Sequence, residues 1–236
     1  MRAVILAGGR GTRLAPYSTL LPKPLMPIGD MPILELLIRQ LRRSEVERVT
    51  LAVGHLASLV MAYFGTGDRL QIPIDYSQEP EPLGTAGPLR LATGLTNTFL
   101  VLNGDLLTDV DVRTMVAFHR RQQAAATVGV YERETLIDLG VVEMDGDHRV
   151  VGYREKPVHR HLVSMGVYVF EPSVVRHVPS AGRFDLPDLV TALLAAGERV
   201  VGYRHTGYWC DIGRPEDYQR AQEEFPSLKT RLLDGA

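Results

Sequence analysis

The stretch AVILAGGRGTRL, residues 3–14, runs five small or apolar residues into three glycines within four positions, then presents a hydroxyl at Thr12 and a guanidinium at Arg13. A short continuous apolar run ending in glycine reads as a strand buried in a parallel sheet. The glycines permit positive φ and close approach of a ligand, and the N–H groups freed at the strand end can cradle phosphate oxygens. Thr12 adds a donor and Arg13 a bidentate phosphate contact. Glycine-rich turns are common, so the loop alone says only that an anion fits there. It is neither G-x-G-x-x-G nor a Walker A loop, because no Gly-Lys-Ser/Thr follows.

Outward from this loop, strand and helix patterns alternate. MPILELLIRQLRRSEV (31–46) places Leu34, Leu37, Ile38 and Leu41 at helical spacing, VTLAVG (49–54) reads as a strand, and HLASLVMAYFG (55–65) as a helix closed by Gly65. IPIDYS (72–77) is a third strand, a helix is expected after Thr85, TFLVLNGD (98–105) is a fourth strand, and DVRTMVAFHRRQQ (111–123) is a helix. Such a succession predicts an α/β fold: a Rossmann-like, doubly wound, mostly parallel mixed sheet with helices on both faces. Ligands of such sheets bind beyond the carboxyl ends of the strands, where both GGRGTR and NGD would lie.

After residue 126 the texture becomes β-rich, with a hairpin turn expected at DGD (145–147). Helix returns with LPDLVTALLAAG (186–197), then the strand VVGYRH (200–205), YWCDIG, and a polar helix from Pro215 to about Phe225. The expected organisation is one domain over 1–236. Its doubly wound part covers about 1–126 with a return over 186–236, and a smaller β-rich lobe covers about 127–185.

Composition narrows the functional classes. The 236 residues are 45% hydrophobic and 23% charged, with formal net charge −2 and no run of like charges, which disfavours a nucleic-acid track or an anionic membrane surface. No apolar run approaches a membrane span of roughly 18 residues, no signal-peptide pattern opens the chain, and the single cysteine, Cys210, excludes an internal disulfide. The expected location is cytoplasmic.

Of 26 basic residues only Lys23, Lys156 and Lys229 are lysines, and the first two each directly precede a proline, in PKP and EKP. A chain that otherwise uses arginine but keeps lysine in two rigid contexts suggests two sites that need a compact ammonium. Asp105 ends the apolar strand in NGD, and Asp211 precedes a glycine in YWCDIG. A lone Asp beside Gly is most often a turn or cap residue, but magnesium needs only one or two carboxylates when substrate phosphates complete its shell.

The blocks LAGGRGTRL (6–14), LPKPLMPIGDMPILE (21–35), EPLGTAGPL (81–89), NGD, REKP (154–157) and YWCDIG (208–213) together resemble, in order, the signature of the sugar-1-phosphate nucleotidyltransferases, the nucleotide-sugar pyrophosphorylases. PLGTAGPL is similar to mannose-1-phosphate guanylyltransferases. The resemblance implies attack of a sugar 1-phosphate on the α-phosphorus of an NTP with release of pyrophosphate, a reaction that asks mainly for positioning and for cations around crowded phosphates. It implies an NTP-binding set of Leu6, Ala7, Gly8, Gly9, Gly11, Thr12, Arg13, Gly84 and Asp105. Arg13 would act on the leaving phosphates, Lys23 on the α-phosphate and pyrophosphate, and Lys156 on the sugar phosphate. Asp105 and Asp211 would hold Mg²⁺.

The nucleobase reader lies in SQEPEPLGTAG (77–87). Guanine offers adjacent N–H donors that suit a carboxylate, whereas uracil and thymine suit an amide. Counting back from Gly84 favours Glu79 as the reader, hence GTP, with mannose 1-phosphate or a related sugar phosphate as acceptor; Gln78 facing inward instead would favour UTP or dTTP, and strand alternation lets only one do so. Gly140, Glu155, Lys156 and Gly166 match the sugar-binding positions. Where many members read Asn-Ala-Gly, this chain has Ser164, Met165 and Gly166, which leaves the sugar open between mannose, glucose and a heptose.

The chain is expected to lack the left-handed β-helix that many members append. Self-association into a homo-oligomer is left open. A catalytically silent paralogue that binds a nucleotide sugar is the rival reading, which retention of Arg13, Lys23, Asp105, Lys156 and Asp211 disfavours.

Overall fold

The structure, a computed structural model, describes residues 1–14 and 17–234. In chain order the elements are β1 (Arg2–Leu6), β2 (Pro27–Ile28), β3 (Met31–Pro32), α1 (Ile33–Arg43), β4 (Arg48–Val53), α2 (Ala57–Phe64), β5 (Ile74–Gln78), β6 (Phe99–Asn103) and β7 (Leu106–Thr108). They continue with α3 (Val112–Arg121), β8 (Ala126–Leu136), β9 (Val141–Met144), β10 (Val150–Arg154), β11 (Val158–Phe170), α4 (Leu186–Ala195), β12 (Val200–His205), β13 (Trp209–Asp211) and α5 (Pro215–Asp234).

A seven-stranded sheet in the order β12-β8-β11-β6-β1-β4-β5 forms the centre. β1 lies parallel to both β4 and β6, β4 to β5, and β12 to β8, while β11 runs antiparallel to β6 and β8. Alternation along β1 divides the core. Ala3 and Ile5 face a cluster that holds Leu34, Leu37 and Leu41 of α1, Val60 of α2 and Met115 of α3, whereas Val4 faces one that holds Leu186, Leu189 and Leu193 of α4. Helices therefore cover both faces.

A third cluster joins Ile33 and Leu36 of α1 to Leu107, Cys210, Ile212 and, from α5, Ala221, Phe225 and Leu232. α1 thus packs on two sides, and Glu35, buried on the same helix, is neutralised by Arg39 and Arg69 and accepts a hydrogen bond from the Tyr63 hydroxyl at 2.8 Å. Among the described residues no helix is long and apolar enough to cross a membrane.

Three expectations are revised. The helix after Thr85 is a single 3-10 turn over Gly87–Arg90, because Pro88 and the flanking glycines do not sustain α-helix. α5 does not stop near Phe225 but continues through Pro226 to Asp234. The β-rich stretch is not wholly outside the sheet: Ala126–Val130 and Val167–Phe170 are central strand residues. β8 and β11 then run on together as a two-stranded ribbon to the β9–β10 hairpin, whose turn is held by Asp145 accepting from the backbone N–H groups of Asp147 and Arg149.

Candidate active site

At the carboxyl ends of β1, β4, β5 and β6 lies a cavity of about 610 Å³. Its floor is the glycine loop. A Cβ on Gly8 would fall 2.6 Å from Oε1 of Glu79 and 3.1 Å from the Gly54 backbone N, and one on Gly54 would fall 2.9 Å from the Gly8 carbonyl oxygen. The ends of the parallel strands β1 and β4 therefore lie side by side with no side chain between them. Gly11 takes φ +62°, and its carbonyl accepts from the backbone N–H of Leu14 at 2.8 Å and the hydroxyl of Ser18 at 2.6 Å. These bonds close the 3-10 turn Thr12–Leu14, which carries Thr12 and Arg13 to the cavity while Leu14 anchors in the core.

Lys23 reaches the same cavity from a second 3-10 turn, Lys23–Leu25, set between Pro22 and Pro24. Its ammonium pairs with Oδ2 of Asp105, and the two side chains are 11% and 23% exposed. The other oxygen, Oδ1, is buried without a hydrogen-bond partner among the described residues. Asp211 comes alongside because β7 and β13 pair antiparallel, Asp211 opposite Leu106, with the Ile212 N–H donating to the Asp105 carbonyl at 3.1 Å. Burial, and next the Asp105 carboxylate, hold the Asp211 carboxyl above its ordinary range, while Lys23 and Arg13 oppose the shift.

Two carboxylates at close quarters, one with an orphaned oxygen, fit a divalent cation better than they fit each other. Among the described residues no group of three or more His, Cys, Asp or Glu ligands gathers, so phosphate oxygens and water would have to complete the shell, which is the habit of Mg²⁺.

Glu79 and Gly84, the candidates from the nucleobase-reading segment, also line the cavity. Glu79 Oε2 accepts from the Leu83 N–H at 2.9 Å, which leaves Oε1 over Gly8. Burial pushes the Glu79 carboxyl up, against the pull of that hydrogen bond. Gln78 is exposed and does not line the cavity. Gly84, at φ +82°, rests on the Phe184–Asp185 backbone, where a Cβ would fall 2.5 Å from the Phe184 carbonyl oxygen.

The sugar-side candidates are placed differently. Gly140, Glu155 and Lys156 do not line this cavity; they stand on the outlying ribbon. There Lys156 pairs with Asp138 at 2.7 Å, and Glu155 accepts from the Tyr153 hydroxyl at 3.0 Å. Gly166, at φ +73°, sits in a β-bulge of β11 between Ser164 and Tyr168 and packs on Asn103, which does line the cavity.

Further lining residues went unread in the sequence: Arg10, His55, Thr85, Asn103, Arg183 and Asp185. Asp185 is the one with a local signal. It caps α4 with Asp188 in a capping box, and its Oδ1 also accepts from the Thr85 N–H at 2.9 Å. Another cavity, of about 590 Å³, opens between Arg2, Glu47, Asn97, Arg120 and Glu171; none of the motif residues lines it.

The family model described as nucleotidyl transferase matches residues 2–227. A UTP--glucose-1-phosphate uridylyltransferase of Synechocystis sp. is 34% identical over 241 residues, covering 94% of this chain and 62% of the relative. A mannose-1-phosphate guanylyltransferase of Mycobacterium tuberculosis is 34% identical over 229 residues, covering 94% and 64%. The chain thus spans somewhat under two thirds of the length of these curated relatives. Among solved structures, HddC from Yersinia pseudotuberculosis complexed with GMP-PN superposes with a TM-score of 0.73 at 25% identity, covering 95% of this chain and 99% of that one.

Proposed function

The chain belongs to the nucleotidyl transferase family, and from that premise we propose that it transfers a nucleotidyl group from an NTP to a sugar 1-phosphate, giving a nucleotide sugar and pyrophosphate. The observation that carries this reading is the convergence of Arg13, Lys23, Asp105 and Asp211 on one glycine-floored cavity. In it, the N–H groups of the loop and Arg13 bind the β- and γ-phosphates and favour their departure. Lys23 follows the α-phosphate, where negative charge builds as the sugar phosphate oxygen bonds to phosphorus and the bridging oxygen leaves with pyrophosphate. Asp105 and Asp211 would hold Mg²⁺, whose chemistry when bound is to draw phosphate charge and align the reacting oxygens.

GTP is the proposed nucleotide. Glu79 lines the cavity with one carboxylate oxygen fixed by Leu83 and the other turned toward Gly8, an acceptor arrangement suited to the N1–H and N2–H₂ edge of guanine. The solved relative holding GMP-PN supports the same choice. Mannose 1-phosphate or a related sugar phosphate is the proposed acceptor, with Lys156, Glu155, Gly140 and Gly166 on the sugar side. Since Lys156 stands outside the cavity on an exposed ribbon, the reading requires the ribbon to approach when sugar phosphate binds.

The uridylyltransferase relative favours a second reading, uridylyl transfer to glucose 1-phosphate. One experiment separates them: pyrophosphate release from GTP, UTP, dTTP and ATP against mannose, glucose and heptose 1-phosphates with Mg²⁺. Turnover of GTP with mannose 1-phosphate is expected. Turnover confined to UTP supports the second reading, and no pyrophosphate from any pair leaves a nucleotide-sugar-binding protein.

A further inference from the structure

Asp109 lies outside the cavity, at the far end of the β7–β13 ribbon, and is 8% exposed. Its Oδ1 accepts from the Tyr208 backbone N–H at 2.7 Å and from His205 Nε2 at 2.9 Å, and its Oδ2 pairs with Arg231 of α5. Its own N–H donates to the Tyr208 carbonyl at 3.2 Å. The chain passes from β12 to β13 through Gly207, where a Cβ would fall 2.4 Å from Asp109 Oδ1, so only glycine lets the turn close on this carboxylate.

From that clamp the ribbon runs through the pairs Trp209–Thr108, Cys210–Leu107 and Asp211–Leu106 to the two aspartates. Three pairs at about 3.4 Å per residue make a lever of roughly 10 Å. With so short a ribbon, a slip of one residue would turn Asp211 away from Asp105.

We infer that Asp109 is a positioning residue: by fixing Tyr208, it sets the register of β13 on β7 and so the mutual placement of Asp105 and Asp211. The inference rests on the reading of those two aspartates as the cation site. Arg231 neutralises the buried charge of Asp109, and among the described residues no hydrogen bond or ion pair joins it to either strand of the ribbon, so loss of Arg231 should cost stability without moving the aspartates.

The test is a titration of the full chain with Mn²⁺ in the presence of GTP, whose phosphates complete the ion's shell, followed by the EPR signal relative to Mn²⁺ and GTP without protein, alongside circular dichroism and Tm. Asp109→Ala is expected to weaken Mn²⁺ binding at least tenfold. Asp109→Asn, which keeps an acceptor for Tyr208, should stay within about threefold of wild type, and Arg231→Met within twofold despite a lowered Tm. Should Asp109→Ala fail to fold, Gly207→Ala, whose methyl presses on the same carboxylate, takes its place with the same tenfold expectation. Mn²⁺ binding unchanged in the folded variant overturns the clamp. So does Mn²⁺ binding that falls in Arg231→Met as far as in Asp109→Ala, since the loss would then follow stability alone. A wild-type chain that adds nothing to the Mn²⁺ binding of GTP removes the cation reading and the clamp together. If wild type binds Mn²⁺, Asp109→Ala loses it and no NTP is turned over, the clamp stands and the transferase reading falls.

Discussion

Lys23→Met should destabilise the protein, and Asp105→Asn in the same chain should restore most of the loss. The Lys23 ammonium is the direct partner of Asp105, both side chains are largely shielded from water, and Asp211 lies close enough to feel the Asp105 charge. Without the lysine, two carboxylates face each other with only Arg13 nearby. A unit pair at about 4 Å and an effective dielectric of about 20 is worth roughly 4 kcal/mol. Because the pair is not wholly buried, water entering the gap should return about half, leaving a cost of about 2 kcal/mol, below the 3–5 kcal/mol seen when one partner of a fully buried pair is removed. In a chain of this size that is a fall in Tm of about 4–8 °C.

The assay is a double-mutant cycle from urea unfolding of wild type, Lys23→Met, Asp105→Asn and the double variant. A coupling of about 2 kcal/mol is expected between the two sites. Mg²⁺ at ten times its Kd for Lys23→Met should stabilise that variant by about 1.4 kcal/mol and wild type by less, since the ion takes the place of the missing ammonium. Coupling below about 0.5 kcal/mol, within the additivity expected of independent sites, would refute the account of this site as a held pair of repelling carboxylates.

Three further outcomes follow from the geometry. Burial raises the Glu79 carboxyl, and reading guanine needs the carboxylate, so kcat/KM for GTP should fall as pH drops through that raised value; Glu79→Gln should remove this limb and cost GTP about 10–100-fold, the equivalent of one bidentate base contact. Gly8→Ala, whose methyl would fall 2.6 Å from Glu79 Oε1, should raise the nucleotide KM about tenfold or more with Tm little changed, as steady-state kinetics and thermal melts would show. Burial pushes His119 below its ordinary 6.5 while Glu171 pulls the other way, so the folded state prefers neutral imidazole; its stability contribution is full above about pH 6.5 and is lost as pH falls through the lowered value, and His119→Gln should flatten that acid slope in urea unfolding at pH 7, 6 and 5.

The features legible in the sequence are those whose chemistry is local. An apolar strand into glycines, a lysine between prolines and an aspartate at a strand end each carry their own constraint, and the sheet alternation follows from the same runs. The 3-10 turn at Gly87–Arg90 was misread because GTAGPLRLATG has the spacing of a short helix but too many residues that shorten one. The extension of α5 was hidden by Pro226, a residue that ordinarily ends or kinks a helix at a cost of about 3 kcal/mol. Tertiary contacts offset it: Leu232 is buried, Arg231 pairs with Asp109, Lys229 with Asp30, and Gln40 donates to the Leu232 carbonyl. None of these partners lies within 100 residues of the proline. The Arg183–Asp185 wall of the cavity was missed for a like reason, since Thr85 and Asp185 meet only through folding.

The choice between Glu79 and Gln78 shows where local reading ends and register takes over. The two residues are adjacent, both can read a base, and the count back from Gly84 that favours Glu79 does not itself fix which one faces inward. What separates them is that Gln78 is the last paired residue of β5, opposite Val53, and turned to solvent, while the next N–H, that of Glu79, still donates to the Val53 carbonyl at 2.9 Å. That bond, together with the Leu83 N–H on its carboxylate, brings Glu79 over Gly8. A slip of one residue between β4 and β5 would exchange a carboxylate for an amide at the base edge. The proposed preference for guanine is therefore a property of strand register, supported by the close Gly8–Gly54 approach, and a mutation that loosens that contact should blur nucleotide choice before it abolishes phosphate binding.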